Sequence, residues 1–194
     1  MSKTAGQRGA LIVVTGPSGV GKGTLIRIIR ERIPRLAYSV SATTRPRRDG
    51  ERDGIEYHFL TPEDFDRRVA AGDFVEHAEY AGYQYGTLRS EVERHLKNGD
   101  SVVLEIEVQG ARQVRRSIPE ATLVFVSPPS DTELAKRLRE RGTDTPEQME
   151  KRLRTAVVEL EARHEFDAEV INDDLETAAL ELTGLVRDAI ALQD

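Results

Sequence analysis

The sequence predicts an α/β fold of three layers around a five-stranded parallel sheet, with a small mixed sheet inserted into it and a helical lid. Three observations carry that expectation. Short β-branched runs alternate with longer segments of helical periodicity, the pattern of βαβ units. The first run leads straight into Gly16-Pro17-Ser18-Gly19-Val20-Gly21-Lys22-Gly23-Thr24, a glycine-rich turn between a buried strand and a helix. Residues 43 to 90 then break the alternation with short aromatic segments.

Taken in chain order, the buried strands are expected at 11–14, 36–40, 101–106, 121–126 and 168–171. Helices between them open on cap residues at Thr61, Ser130 and Thr145, the last two as capping boxes completed by Glu133 and Gln148. Met149, Leu153, Ala156, Val157 and Leu160 form a stripe at helical spacing that should face the core. Right-handed crossovers between parallel strands place a ligand crevice at the strands' C-terminal ends, where the glycine-rich turn sits. The segments 54–59, 74–80 and 83–88 suit the inserted sheet, and the arginine-bearing loop 141–146 between two helices suits a mobile lid. The expected division is one domain: a core of 9–42, 89–130 and 165–194, an insert over 43–88, and a lid over about 137–160.

Composition narrows the function. With 194 residues the chain can bury a substantial core, and no apolar run approaches the ~20 residues of a membrane span. The first residues lack the apolar core of a secretory signal, so a cytoplasmic location is expected. Zero cysteines exclude disulfides and thiolate metal sites, and the four histidines show no zinc spacing. A net charge of −6 argues against a general nucleic-acid surface, so anion binding must come from local arginine clusters.

The glycine-rich turn carries the strongest chemistry. Its glycines let backbone N–H groups wrap a nucleotide's phosphates, and Lys22 supplies a cation. Gly23 stands where the strict G-x-x-x-x-G-K-[ST] pattern has its magnesium-holding hydroxyl, with Thr24 one place later. Magnesium is therefore expected to be held by phosphates and waters, with Thr24 or the carboxylate of Glu105 assisting, and not by confident direct ligation. A second cluster, 41–54, combines Arg45, Arg47, Arg48 and Arg52 with prolines and glycines; it suits either a second phosphate clamp or a solvated loop. Glu105 and Glu107 fall on one face at the end of their strand, and Arg112 is an alternative partner for Glu107. Arg137 and Arg141 stand four apart on one helix, a like-charge spacing that favours a bound anion, although Glu133 can neutralise Arg137.

The motifs G-P-S-G-V-G-K-G-T, S-A-T-T-R-P-R-R-x-G-E, F-V-E, Y-G-T, L-E-I-E-V-Q-G, F-V-S-P-P-S and V-I-N-D-D resemble those of guanylate kinases, in that family's order, from about residue 10 to about residue 190. The resemblance implies a P-loop kinase that transfers the γ-phosphoryl group of Mg²⁺-ATP to GMP. It implies that Arg45, Arg48, Tyr57 and Tyr85 hold the GMP phosphate, with Glu51 orienting the arginines. Ser41, Thr87 and Glu76 would contact the base, because guanine offers adjacent N1–H and N2–H donors to a carboxylate while adenine's N1 is an acceptor. Glu105 would lie near magnesium and its waters. Glu107 would help bind the guanine amino group, in a position where the family more commonly has aspartate. The glycine loop and Lys22 would take the ATP phosphates together with Arg137, Arg141 and Arg152, and Asn172 would lie near adenine.

Two other readings are compatible with parts of this pattern: a nucleoside monophosphate kinase for another base, and a guanylate-kinase-like module that only binds a protein partner. Lys22, the intact glycine loop and the arginines of the lid argue against the second.

Overall fold

Ile12, Val13 and Val14 are completely buried, because β1 (Leu11–Thr15) is the middle strand of a sheet covered on both faces. The computed structural model describes residues 8–80, 82–140 and 146–193. Within them, β1 pairs in parallel with β7 (Ser101–Glu105) on one side and β8 (Thr122–Ser127) on the other; β2 (Leu36–Tyr38) and β9 (Ala168–Ile171) complete a sheet ordered β2-β7-β1-β8-β9. The five expected strands are these five, with ends shifted by a residue or two. Because β1 is followed by β2 on one side while β7 is followed by β8 across it, the strand order reverses at β1, and the crevice opens above its C-terminal end.

Side-chain alternation sorts the core into two layers. Ile12, Val14, Val103 and Val124 face a cluster with Leu25, Ile26 and Ile29 of α1 (Lys22–Arg32) and Leu182 and Val186 of α7 (Leu175–Ala191). Leu11, Val13, Val102 and Leu104 face Val92 and Leu96 of α3 (Arg89–Lys97) and Ala111 and Val114 of α4 (Val108–Ser117). The middle of the β-branched runs is thus buried on both faces.

The insert has its own sheet, ordered β4-β3-β6-β5, from β3 (Ser41–Thr43), β4 (His58–Phe59), β5 (Phe74–Tyr80) and β6 (Tyr83–Leu88). It is mixed, since β3 runs parallel to β4 and antiparallel to β6. Ser41 and Ala42, assigned to the core by sequence, belong to this sheet. Its apolar centre is small: Phe65 of α2 (Pro62–Ala71) stacks on Phe74 with ring centroids 4.5 Å apart, beside Ala42 and Leu88.

The caps follow expectation in part. Thr61 accepts from the Asp64 N–H at 3.1 Å, and Ser130 from that of Glu133 at 3.1 Å, but the Glu133 carboxylate turns to Arg137 instead of closing a capping box. Thr145 lies outside the described residues. Along α6 (Pro146–Glu161), Ala156 is buried and Met149, Leu153 and Leu160 pack on the core, whereas Val157 is 51% exposed. The stripe is narrower than expected, because Val157 lies at the edge of the arc that the other four share. Among the described residues no helix is long and apolar enough to cross a membrane.

Phe65→Ala removes one of the two phenylalanine rings from the insert's centre and should cost about 3–5 kcal/mol, read by urea denaturation. A loss under about 1 kcal/mol would mean that this centre does not hold the small sheet together.

Candidate active site

The glycine loop is shaped by what surrounds it. Gly16, Gly19 and Gly21 all have positive φ, at 140°, 86° and 100°. A Cβ on Gly16 would collide with the Val126 carbonyl, and one on Gly21 would sit 2.5 Å from the Asn172 amide nitrogen. α1 starts at Lys22 with Gly21 as its cap residue, no side-chain cap and no acid in its first turn. Its first N–H groups and positive dipole end therefore face the crevice with no acid of the helix's own beside them, an arrangement suited to phosphate. Lys22 is buried and its Nζ donates to the carbonyls of Gly16 at 2.5 Å and Pro17 at 3.2 Å, so it bridges the loop.

Across the crevice, the small sheet brings three expected residues into one row. β3 and β6 pair Ser41 with Thr87, and β6 and β5 pair Thr87 with Glu76. A register shift between Phe74 and Glu76 inserts Val75 as a bulge; Phe74 packs into the insert, Val75 into the main core, and Glu76 turns to the crevice. Glu76 is only 5% exposed, and its Oε1 accepts from the Thr87 hydroxyl at 2.7 Å. Burial pushes its carboxyl up to about 7, against the pull of hydrogen bonds from Thr87, with the nearby Glu107 adding to the rise.

Beside this row stands a cationic corner. Arg45, 8% exposed, donates to Glu51 at 2.7 Å and to the Pro46 carbonyl at 2.8 Å, and its guanidinium lies 5.3 Å from the centre of the Tyr57 ring. The second oxygen of Glu51 accepts from the Arg48 backbone N–H at 2.8 Å. One carboxylate thus ties the Arg45 side chain to the Arg48 backbone. The bond to Glu51 raises Arg45 further, and Tyr85 contributes in the same direction. Tyr57 and Tyr85 meet edge to face at 6.0 Å.

Both halves line one cleft of about 710 Å³, which holds Lys22, Gly23 and Thr24 at one end and Ser41, Arg45, Arg48, Tyr57, Tyr85 and Glu76 at the other. Glu105 and Glu107 lie on its floor. A Cβ on Gly23 would stand 3.4 Å from Glu105 Oε2, so this carboxylate overhangs the first turn of α1, where Thr24 is exposed. Glu105 and Thr24 are the residues that could hold a divalent cation beside bound phosphates.

The comparisons with known proteins agree with this geometry. The family model described as guanylate kinase matches residues 8–189. The chain belongs to the guanylate kinase family. It is similar to guanylate kinases of Rubrobacter xylanophilus, 52% identical over 95% of this chain and 97% of that one, and of a Synechococcus strain, 56% identical over 88% and 90%. A solved guanylate kinase from Anaplasma phagocytophilum superposes with a TM-score of 0.74 at 30% identity, covering 95% of this chain and 87% of that one. A Sinorhizobium meliloti gluconokinase, 20% identical with a TM-score of 0.52 over 96% and 95% of the two chains, shares the fold.

Asn172, Arg137 and Arg152, which the guanylate kinase resemblance placed at the nucleotide, do not line the cleft. Asn172 is 5% exposed and does not line the cleft; its amide donates to the Val20 carbonyl at 2.8 Å, bracing the glycine loop from beneath. Arg137, on α5 (Asp131–Glu140), donates to the Asn172 carbonyl at 2.9 Å and to Glu133 at 3.1 Å, so it supports that brace. The alternative pairing of Glu107 with Arg112 is not made, because Arg112 takes both oxygens of Glu165. Arg152 is half-buried on α6, and Arg141 lies outside the described residues.

Two groups at the site were not anticipated. Tyr38, at the end of β2, lines the cleft, and burial together with Glu105 pushes its hydroxyl up to about 12. Its signal was its place at the C-terminal end of a parallel strand. Glu159 of α6 is raised well above the ordinary carboxylate range, first by burial and then by a hydrogen bond with Glu107. An acid beside the apolar stripe of α6 was the available signal.

Glu76 has a clear stability signature. Its native value near 7 lies above the ordinary 4.5, so the folded chain binds more protons than the unfolded one between those values. Stability should fall by roughly 3 kcal/mol as pH rises from about 4.5 through 7. Urea denaturation at pH 5 and pH 8 should show this decline, and Glu76→Gln should flatten it. An equal decline in Glu76→Gln would assign it to other groups.

Proposed function

We propose that this chain transfers the γ-phosphoryl group of Mg²⁺-ATP to GMP in the cytoplasm, giving ADP and GDP. The observation that carries the reading is a single cleft joining a phosphate-wrapping loop to a buried carboxylate with its paired hydroxyl. Glu76, once ionised, accepts from guanine N1–H and N2–H, and Ser41 and Thr87 complete the base contacts. Adenine turns an acceptor toward the same carboxylate, leaving a buried charge without a proton. A site built on such hydrogen bonds discriminates by about 10⁴-fold or more.

The GMP phosphate falls to Arg45, Arg48, Tyr57 and Tyr85, with the arginines held open by Glu51. The donor phosphates fall to the loop N–H groups, the helix end and Lys22, which exchanges its carbonyl partners for phosphate oxygens. Arg141 and Arg152 join them from the lid, and Arg137 acts on that side through its hold on Asn172. The acceptor is already an ionised phosphate oxygen, so no side chain need remove a proton. Catalysis rests on in-line positioning, charge neutralisation and exclusion of water. Glu105 and Thr24 would hold magnesium through its waters, and the ion would neutralise charge on the donor phosphates. Glu107 takes the guanine amino side, one methylene longer than the aspartate that guanylate kinases more commonly carry.

In a coupled assay GMP should react far better than AMP, dTMP or UMP. Glu76→Gln should raise the KM for GMP roughly 10- to 100-fold while that for ATP changes little. Comparable rises for both nucleotides would remove Glu76 from base recognition. Arg141→Ala should act mainly on kcat, and an unchanged kcat would take it out of the lid's charge neutralisation.

A further inference from the structure

Glu76 lies on β5, an outer strand of the small sheet, whose far edge pairs with no further strand among the described residues. A helix of the core covers that edge instead. Gln113 of α4 meets the backbone of His77, the residue after Glu76, with both ends of its amide: Oε1 accepts from the His77 N–H at 3.1 Å, and Nε2 donates to the His77 carbonyl at 2.7 Å. This is the hydrogen-bond pair that a neighbouring strand would make, supplied by one side chain. One turn earlier on the same face, Gly110 faces the carboxylate itself. A Cβ there would lie 2.5 Å from Glu76 Oε2 and 3.2 Å from Cδ. One turn later, Ser117 Oγ lies 3.4 Å from the Val75 carbonyl. Residues 110, 113 and 117 of one helix face therefore follow residues 76, 77 and 75 of the strand.

We propose that Gln113, with Gly110 beside it, is a positioning residue for guanine selection: α4 grips the strand next to Glu76 and leaves space for its carboxylate where a side chain would expel it. The bulge at Val75 gives this grip its purpose. Two residues there oppose one on β6, so the regular ladder that runs from Tyr80 to Glu76 is interrupted directly beside Glu76, on the side of Phe74. Gln113 holds the strand next to that interruption from its other edge, and it ties that edge to the helix that begins directly after Glu107. The strand that reads the base and the floor of the cleft are thereby held in one frame. The inference rests on the assignment of Glu76 to guanine made above.

The test uses the full chain as Gln113→Ala, Gly110→Ala, Glu76→Gln and the Gln113→Ala/Glu76→Gln double variant, with steady-state KM for GMP and for ATP. Gln113→Ala should raise the KM for GMP about tenfold, and Gly110→Ala more, with ATP within about twofold, since small misplacements of a positioning group carry effects of this size. Gly110→Ala places the better helix former in α4, so helix propensity favours folding of that variant. Arg116→Ala, exposed on the same helix, serves as the control that should change neither constant. In the Glu76→Gln background, Gln113→Ala should lose most of its effect on GMP, because the group it positions has been altered. A full, independent effect in that background would overturn the proposal, as would a GMP KM within twofold of the parent in Gln113→Ala while Glu76→Gln alone raises it. An unchanged GMP KM in Glu76→Gln alone would sink the reading of Glu76 and this inference with it.

Discussion

The glycine loop has no room for side chains on its inner surface, and the nucleotide side of the molecule is arranged around that fact. Three elements from different parts of the chain press on it: β8 at Gly16, α5 through Leu138 at Gly19, and the residue after β9, Asn172, at Gly21. Each contact occupies space that a Cβ would need, so the glycines are required twice, by their positive φ and by their neighbours. The consequence is a loop whose backbone is held in place before any phosphate arrives. Donors arranged in advance need no reorganisation when charge develops, which is where such a site gains over water.

The acceptor side solves a different problem, which is to keep strongly charged groups apart from the solvent that would otherwise satisfy them. Arg45 and Glu51 form a nearly buried pair, and the pair alone would add little to stability after desolvation. Its effect is geometric. Glu51 uses one oxygen on the Arg45 guanidinium and the other on the Arg48 backbone, so a loop of mixed charge acquires a single shape. Glu76 takes the other course: with a hydroxyl for company and no cation in contact among the described residues, burial moves it toward neutrality. Donors brought to a carboxyl near 7 favour its ionised form.

Local pattern made much of this legible in the sequence. The five strands, the glycine loop, the caps at Thr61 and Ser130 and the inserted aromatic segments all announce themselves through residues near each other in the chain. What escaped was set by partners far away. Asn172 was read as a nucleotide contact because its family motif lies near the site; nothing local says that its amide meets Val20, 152 positions earlier. Nor does anything local say that Arg137 meets the Asn172 carbonyl, 35 positions away. Gly110 and Gln113 sit in an ordinary amphipathic helix, and only the docking of β5 on α4 gives either a role. Val157 failed for a simpler reason, since a five-residue stripe overestimated the width of the face that α6 buries.

The resting state of Lys22 links these two sides. Its ammonium is buried, so it must find partners, and it finds two carbonyls of its own loop. Carbonyl oxygens are neutral acceptors. Phosphate oxygens carry charge, and charge-assisted bonds are roughly twice as strong, so a triphosphate can displace the carbonyls without leaving the lysine unpaired at any stage. Glu159 would be a poor neighbour for that phosphate if it were fully ionised. Its burial and its hydrogen bond with Glu107 raise it, which lowers the negative charge facing the loop.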